Sequence, residues 1–180
     1  MRNILVSTNQ SNIAQLGHPI LKTDAKPVTD IFSPTTQAII TDLLTTVDLA
    51  GGVGIAAPQL FYDARIFIIC SKPNERYPDA PLMPPTVMIN PEIVQHDDIM
   101  EKGWEGCLSV PSIRGLVPRY KNITVSYFDQ QAQPQTKELT DFVARIFQHE
   151  LDHLNGKTFI DQVSSNQDLI SEAEWYRQYS

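Results

Sequence analysis

TDFVARIFQHELDHLNG, residues 140–156, is the segment around which the rest of the chain is expected to pack. Apolar residues recur in it at helical spacing and share a face with the first histidine: Phe142, Val143, Ile146 and His149. His149 and His153 stand four positions apart, so on a helix both rings project from the same face and can reach one ion. Asn155-Gly156 is a suitable helix end. The segment therefore predicts a helix that carries two metal ligands.

A first helix is predicted upstream of this segment. Ser33 is a preferred N-cap residue, and Pro34 has the fixed φ that suits the first helical turn. Apolar residues then recur at helical spacing: Ile39, Ile40, Leu43, Leu44 and Val47. Gly51-Gly52 follows, and glycine ends helices because it adopts the left-handed conformation without strain. Residues 1–15, rich in Ser, Thr, Asn and Gln, are predicted to be irregular.

The remaining pattern predicts strands and one further helix. Short apolar runs are predicted as strands at residues 66–69, 87–89, 93–94 and 123–127. Five prolines between residues 73 and 85 argue against regular structure there. Residues 165–179 are predicted as a last amphipathic helix. Helices interspersed among short strands predict a single α+β domain, residues 1–180, with mostly antiparallel strands packed around the metal-binding helix.

Composition and charge argue against several classes of protein. A chain of 180 residues, 42% hydrophobic and 19% charged, is typical of a globular domain. The formal net charge of −7 argues against sequence-specific nucleic-acid binding, which requires a basic face. The most apolar run, residues 66–70, is too short to cross a membrane. No apolar run follows Arg2 as in a signal peptide, so Cys70 and Cys107 are expected as reduced thiols in a cytoplasmic protein.

The third metal ligand must come from outside the helix, because a catalytic metal site has three protein ligands and one open position. Cys107 is the best candidate, since its neighbour Gly106 lets the backbone approach an ion or a substrate. Glu150, next to His149, can direct its carboxylate to a water molecule at the open position without binding the ion. The other candidates lack partner spacing and are interpreted as surface or core residues: His18, His96 and Cys70.

GVGIAAPQ, residues 52–59, is a third notable segment. Its small residues match a loose form of the dinucleotide-binding fingerprint. That fingerprint requires a strand before it and a helix after it, whereas here a helix precedes and Pro58 follows. Two interpretations therefore stay open: a flexible connection from helix to strand, or a loop that lets a substrate backbone approach and ends in the amide donor of Gln59.

Taken together, these segments resemble the peptide deformylase family. Its three signatures occur here in the family's order and spacing: GVGIAAPQ (52–59), EGCLS (105–109) and QHELDH (148–153). Gly17-His18-Pro19 and the segment from Arg114 to Arg119 extend the resemblance, which covers about residues 15–161. One such motif is weak evidence, whereas three in order are highly specific.

The resemblance implies a role for each residue of the site. Cys107, His149 and His153 would hold one divalent metal ion, with water as the fourth ligand. Glu150 would act as general base and then as general acid, while Gln59 and the backbone N–H of Leu108 would stabilise the oxyanion. The implied substrate-binding residues are Gly54 and Ile55 beside the substrate strand, Arg114, and Phe142 and Ile146 in the methionine pocket.

The implied reaction removes the N-terminal formyl group from the formyl-methionine of newly made polypeptides and releases formate. Two imidazoles and a thiolate suit iron(II), zinc, nickel or cobalt, and the resemblance favours iron(II) in the cell. Some members of the family dock on the ribosome through a basic C-terminal helix. Residues 161–180 here carry four acidic residues against Arg177 alone, which argues against docking of that kind.

Two rival functions share parts of this pattern. A zinc-dependent endopeptidase can use the same helix motif, but such enzymes take His or Glu as the third ligand. A binding module or pseudoenzyme would hold a structural ion, and structural sites are usually closed by four protein ligands. Cys70 could be that fourth ligand only if it reached the ion, and its place in an apolar strand argues against that.

Overall fold

The computed structural model describes residues 13–73 and 80–179. Its helices are α1 (Pro34–Leu49), α2 (Asp141–Leu154) and α3 (Glu172–Tyr179). Its strands are β1 (Gly54–Ala56), β2 (Ile66–Ser71), β3 (Met83–His96), β4 (Met100–Cys107), β5 (Val110–Tyr120), β6 (Asn122–Phe128), β7 (Pro134–Thr140) and β8 (Leu169–Ser171).

The strands form two antiparallel sheets. The first has five strands in the order β1-β2-β3-β6-β7, and the second has three in the order β4-β5-β8. Each paired neighbour in these sheets runs antiparallel. With its three helices, this arrangement confirms the predicted α+β class. Strand β3, with 14 residues, is longer than the two runs predicted within it, and β5, with 11 residues, was not predicted.

Helix α2 packs against strands of both sheets. It contacts β1, β2, β6 and β7 of the first sheet and β5 of the second. On its buried face, Phe147 meets Phe67 of β2 edge-to-face, with ring centroids 5.1 Å apart. Ala144, Phe147 and Leu154 are completely shielded from solvent. The hydrophobic core therefore fixes the orientation of the helix that carries the two histidines.

Helix α1 covers another part of the first sheet and ends where the sequence predicted. Ser33 accepts a hydrogen bond from the Thr36 N–H at 3.2 Å, as an N-cap does. Ile40 and Leu43 pack in one cluster with apolar residues of β1, β2 and β3: Ile55, Ile66, Ile68, Val87 and Ile89. Gly51 has φ +58° after the last turn. The helix thereby leads directly into β1.

The strand predictions in the first sheet are confirmed, with one correction. Runs 87–89 and 93–94 belong to the single strand β3, which also includes Pro84 and Pro85. The prediction that prolines exclude regular structure is therefore wrong at those two positions. The β2–β3 register shifts between Ile69 and Ser71, so these prolines face an irregular part of the ladder. Pro78 and residues 1–12 lie outside the described part of the chain.

The C-terminal prediction of one helix over residues 165–179 is wrong in its first half. A 3-10 turn at Asn166–Asp168 is followed by β8, and only Glu172–Tyr179 is α-helical. The reason lies in the tertiary structure. Leu169–Ser171 pairs with residues 113–115 of β5, and this pairing provides hydrogen-bond partners for the backbone of β5. None of the helices in the described residues is both long and apolar enough to span a membrane.

Candidate functional site

The three predicted metal ligands come together in the structure. The ligand atoms of Cys107, His149 and His153 all lie within 4.8 Å of one another. Cys107 Sγ is 3.2 Å from His153 Nε2. A tetrahedral ion with bonds of about 2.0–2.3 Å can bridge donors at such separations. The group therefore fits a catalytic metal site with three protein ligands.

A tight hairpin brings the cysteine to helix α2. Cys107 is the last residue of β4 and pairs with Val110, the first residue of β5, across a turn made of Leu108 and Ser109. The Ser109 N–H points to Cys107 Sγ at 3.4 Å. The turn thus holds the thiol at the tip of the second sheet, facing the histidines of α2.

The electrostatics of the group suit a thiolate ligand. Burial alone would raise the pKa of the Cys107 thiol, but the neighbouring His153 and His149 outweigh it and hold that pKa well below its ordinary value. A thiolate is the form of cysteine that binds metals. The chemistry of the donor set therefore agrees with its geometry.

His149 is oriented by a carboxylate behind it. Its Nδ1 lies 2.9 Å from Glu105 Oε2, which leaves Nε2 as the nitrogen that could bind a metal ion. Burial would raise the pKa of Glu105, but the hydrogen bond from His149 and the charge of Arg119 prevail and lower it to about 2. Glu105 is therefore a carboxylate, and His149 Nδ1–H donates to it.

Glu150 follows His149 on α2 and is buried, with 4% of its surface exposed. Burial raises the pKa of its carboxyl to about 7. Its Oε2 has no hydrogen-bond partner within the described residues. A carboxyl group of this pKa can both accept and return a proton near neutral pH.

Gln59 is held with its amide donor facing the cysteine. Its Oε1 accepts the Ala56 N–H at 2.9 Å, so its Nε2 is the group that faces Ser109 Oγ at 3.1 Å and Cys107 Sγ at 3.5 Å. The side chain is buried. Leu108, in the turn beside Cys107, lines a cavity together with Gln59 and Cys107. Both residues predicted to supply oxyanion donors thus lie near Cys107.

A comparison with protein families identifies the family of this chain. The model of the family described as polypeptide deformylase matches residues 10–168 of this chain. The chain belongs to the peptide deformylase family. This family membership favours a peptide deformylase over the zinc endopeptidase that the helix motif also allowed.

Similar proteins of known family support this assignment. "Peptide deformylase 2" of Nostoc sp. is 56% identical over 91% of this chain and 91% of its own. A class I type b peptide deformylase from Acinetobacter baumannii, solved with Met-Ala-Ser bound, has a TM-score of 0.82 at 42% identity and covers 84% of this chain and 96% of its own. A peptide deformylase from Synechococcus elongatus, solved with actinonin, has a TM-score of 0.76 at 35% identity and covers 87% of this chain and 80% of its own.

Most, but not all, of the predicted substrate-binding residues of this deformylase line one cavity. Four of them line a cavity of about 250 Å³ beside the ligands: Gly54, Arg114, Phe142 and Ile146. Ile55 does not line it, because its side chain is fully buried in the cluster that faces α1. Any contact of Ile55 with a substrate must therefore come from its backbone in β1, an edge strand of the first sheet.

A buried ion-pair network behind the ligands was not assigned any role by sequence reasoning. Arg119 binds both carboxylate oxygens of Glu105 at 3.0 Å and Asp152 Oδ2 at 2.6 Å. Arg145 Nη1 donates to Glu105 Oε1 at 2.9 Å. Glu105 thus connects two arginines to His149, and the network joins β4 and β5 to helix α2.

Two local signals could have revealed this network. Glu105 stands two residues before Cys107, so strand alternation places both side chains on the same face of β4. Arg145 stands four residues before His149, so both lie on one face of α2. Arg119, the ion-pair partner of Glu105, could not be read from spacing, because it lies opposite Glu101 in the β4–β5 register and that register is a tertiary property.

Proposed function

We propose that this protein hydrolyses the formyl group of N-formylmethionyl peptides through Glu150, beside a divalent metal ion held by Cys107, His149 and His153. Membership of the peptide deformylase family supports the reaction. The observation that carries the residue assignment is the meeting of three metal donors and a carboxyl of raised pKa at one cavity. Residues 1–180 are proposed to form one catalytic domain.

The metal ion, when bound, supplies a Lewis acid that lowers the pKa of a water molecule and polarises a carbonyl group. Glu150 accepts the proton of the attacking water through its unpartnered Oε2. The water oxygen forms a bond to the formyl carbon, and the carbon–nitrogen bond then breaks. Glu150 returns its proton to the leaving amine, so formate and a free N-terminus are released.

The oxyanion that develops on the formyl oxygen requires donors already in place. Gln59 Nε2, oriented by its hydrogen bond to Ala56, is proposed as one donor and the backbone N–H of Leu108 as the other. Loss of one such donor typically costs about 3–4 kcal/mol of transition-state stabilisation. Ser109, which accepts from Gln59, helps to hold the amide in position.

The cavity walls suggest how the peptide is oriented. Phe142 and Ile146, one helical turn apart on α2, offer an apolar wall for the methionine side chain. Gly54 lies on the edge strand β1, where an extended peptide can add to the sheet through backbone hydrogen bonds. Arg114 stands at the same cavity as a contact for the chain that follows methionine.

Iron(II) is the proposed ion in the cell, with zinc, nickel and cobalt as compatible alternatives. Two imidazoles and a thiolate suit each of these ions. Protein purified without oxygen is expected to contain iron and to lose activity on exposure to air. Fully active anaerobic protein that contains only zinc would contradict this choice.

Newly made formylated polypeptides in the cytoplasm are the proposed substrates. The acidic residues of the C-terminal segment, including Glu172 and Glu174, disfavour docking on ribosomal RNA through α3. Ribosome pelleting at low and high salt tests this point, and salt-sensitive binding lost on deletion of α3 would contradict it.

Formate release from formyl-Met-Ala-Ser by metal-loaded protein tests the central proposal. Wild type is expected to release formate, whereas Glu150→Gln is expected to retain the metal and lose at least about a hundredfold in kcat. Normal turnover by Glu150→Gln would refute the role of Glu150. Absence of turnover by metal-loaded wild type would refute the proposed reaction.

A further inference from the structure

The C-terminal segment, defined here as β8 and α3 (residues 169–179), reaches the candidate active site. We propose that Glu172 and Trp175 position Arg114 as a clamp for the peptide chain beyond formyl-methionine, and that Glu172 selects a neutral backbone carbonyl over a free carboxylate there. The inference rests on the proposed function and adds two specificity-determining positions to it.

Strand pairing explains why this segment meets Arg114. Arg114 of β5 pairs with Gly106 of β4 on one side and with Ile170 of β8 on the other. Gly106 immediately precedes the ligand Cys107, so Arg114 stands beside the metal ligands. Glu172 follows β8 directly and also lines the cavity.

Two side chains of α3 contact the guanidinium of Arg114. Glu172 Oε1 accepts a hydrogen bond from Arg114 Nη2 at 3.1 Å. The Arg114 Cζ lies 4.1 Å from the centroid of the Trp175 ring, within the range of a cation–π contact. The hydrogen bond uses Nη2, and the cation–π contact covers one face of the guanidinium. Neither contact provides an acceptor for Nε or Nη1.

The remaining donors of Arg114 indicate a ligand. Arg114 is only 1% exposed, yet its Nε and Nη1 have no hydrogen-bond partner within the described residues. Buried guanidinium donors without an acceptor are unfavourable. Since Arg114 lines the cavity, an oxygen of a bound peptide is the acceptor that this geometry favours.

Charge decides which oxygen is preferred. The carboxylate of Glu172 already offsets the charge of Arg114, so a second carboxylate at the same guanidinium would meet the repulsion of Glu172. A peptide carbonyl accepts the same hydrogen bonds without that repulsion. A long nascent chain presents a carbonyl here, whereas only a short peptide ends in a carboxylate at this distance.

The test uses formylated peptides of two to five residues, each with a free C-terminal carboxylate and as the matched amide. In Glu172→Gln, the ratio of kcat/KM for carboxylate over amide is expected to rise about fivefold at the length whose C-terminus reaches Arg114. Glu174→Gln is the matched control. It removes the same charge from α3, but Glu174 pairs with Arg177.

Trp175 is tested by a separate pair of variants. Trp175→Leu removes the aromatic face and is expected to raise KM for the longer amides by about fivefold while kcat changes less. Trp175→Phe keeps an aromatic face and is expected to restore most of the KM. Metal content and thermal unfolding of each variant establish that the fold is retained.

The outcomes separate this inference from the proposed function. Equal carboxylate-to-amide ratios in wild type, Glu172→Gln and Glu174→Gln at every length would overturn it. If metal-loaded wild type released no formate, the proposed reaction would be refuted. The clamp could then be tested by binding alone, using calorimetry with Met-Ala-Ser, its amide, and the corresponding peptides of the other lengths. The same shift in affinity ratio is expected there, and its absence would overturn the clamp as well.

Discussion

Gly54 leaves room for Glu150, the proposed general base, because it has no side chain. A Cβ built at Gly54 would lie 2.8 Å from Glu150 Cδ and closer still to Oε1. The backbone of β1 therefore packs directly against the carboxyl group of α2. Loss of this close approach would move Glu150 relative to the three ligands.

Gly54→Ala is expected to lower kcat by about a hundredfold, because displacements of about 1 Å in an active site have effects of that size. Metal content should be unchanged, since no ligand is touched. Gly52→Ala is the control, because the nearest atoms to its Cβ lie at an ordinary 3.6 Å. Formate-release kinetics that were equal for the two variants would contradict the steric explanation.

Glu105 is a second single residue with a local effect, because it holds the predicted metal ligand His149. Glu105→Gln removes the charge that holds His149 Nδ1–H and pairs with Arg119 and Arg145. Loss of such a partner typically weakens metal binding by about 10- to 100-fold. Competition with a chromophoric chelator measures that affinity.

Glu101→Gln is the matched control for Glu105→Gln. Glu101 lies on the same strand, is exposed and pairs with Lys121. Its substitution is expected to leave metal affinity within about twofold, as for exposed ion pairs of small energy. Equal metal affinities for the two variants would show that Glu105 does not support the ligand.

At the scale of elements, the C-terminal end of α2 is anchored independently of its histidines. The Leu154 carbonyl accepts the Ala25 N–H at 2.8 Å and Arg65 Nη1 at 3.2 Å. Gly156 follows with φ +64°, and a Cβ there would lie 2.8 Å from the backbone carbon of Lys22. Close backbone approach thus joins residues 22–25 to the C-terminal end of α2.

Gly156→Ala and Gly51→Ala separate steric clash from backbone strain. Both glycines have positive φ, so alanine at either is expected to cost about 1–2 kcal/mol of unfolding free energy. Only Gly156 meets a backbone neighbour, because nothing lies within 4 Å of a Cβ at Gly51. Urea unfolding should therefore show a further loss of about 1–3 kcal/mol for Gly156→Ala. Equal losses in both variants would contradict the packing argument.

At the scale of the whole molecule, the metal site joins parts that are distant in the chain. Cys107 belongs to the hairpin of the second sheet and His153 to helix α2, 46 residues away in sequence. An ion held by both would act as a crosslink of the folded state. Because it binds the folded chain preferentially, it should raise the free energy of unfolding.

Metal removal is therefore expected to destabilise the protein. Free metal at a hundredfold excess over Kd should add about 2.7 kcal/mol to the free energy of unfolding, and a chelator should abolish that gain. Thermal unfolding with and without chelator measures it. Glu150→Gln should keep the full gain, whereas Cys107→Ala should lose most of it. A gain that survives in Cys107→Ala would place the ion elsewhere.

Much of the site could be predicted because its signals are local. The spacing of His149 and His153 and the caps at Ser33 and Gly51 depend only on helix geometry, which a short segment specifies. The strands at 66–69 and 123–127 were visible because their side chains are apolar or alternate. The prolines of β3 misled the prediction, because an irregular β2–β3 register accommodates them.

By itself, the sequence determined which residues of this protein can bind a metal ion and which segment presents two of them, because helical periodicity is set by the backbone. Only the tertiary structure decided that Glu105 supports His149, that Ile55 points into the core, and that Glu172 and Trp175 return to Arg114. Those relations depend on strand register and on the pairing of β8 with β5. Such long-range pairings arise from the burial and hydrogen bonding of the whole chain, and no local spacing encodes them.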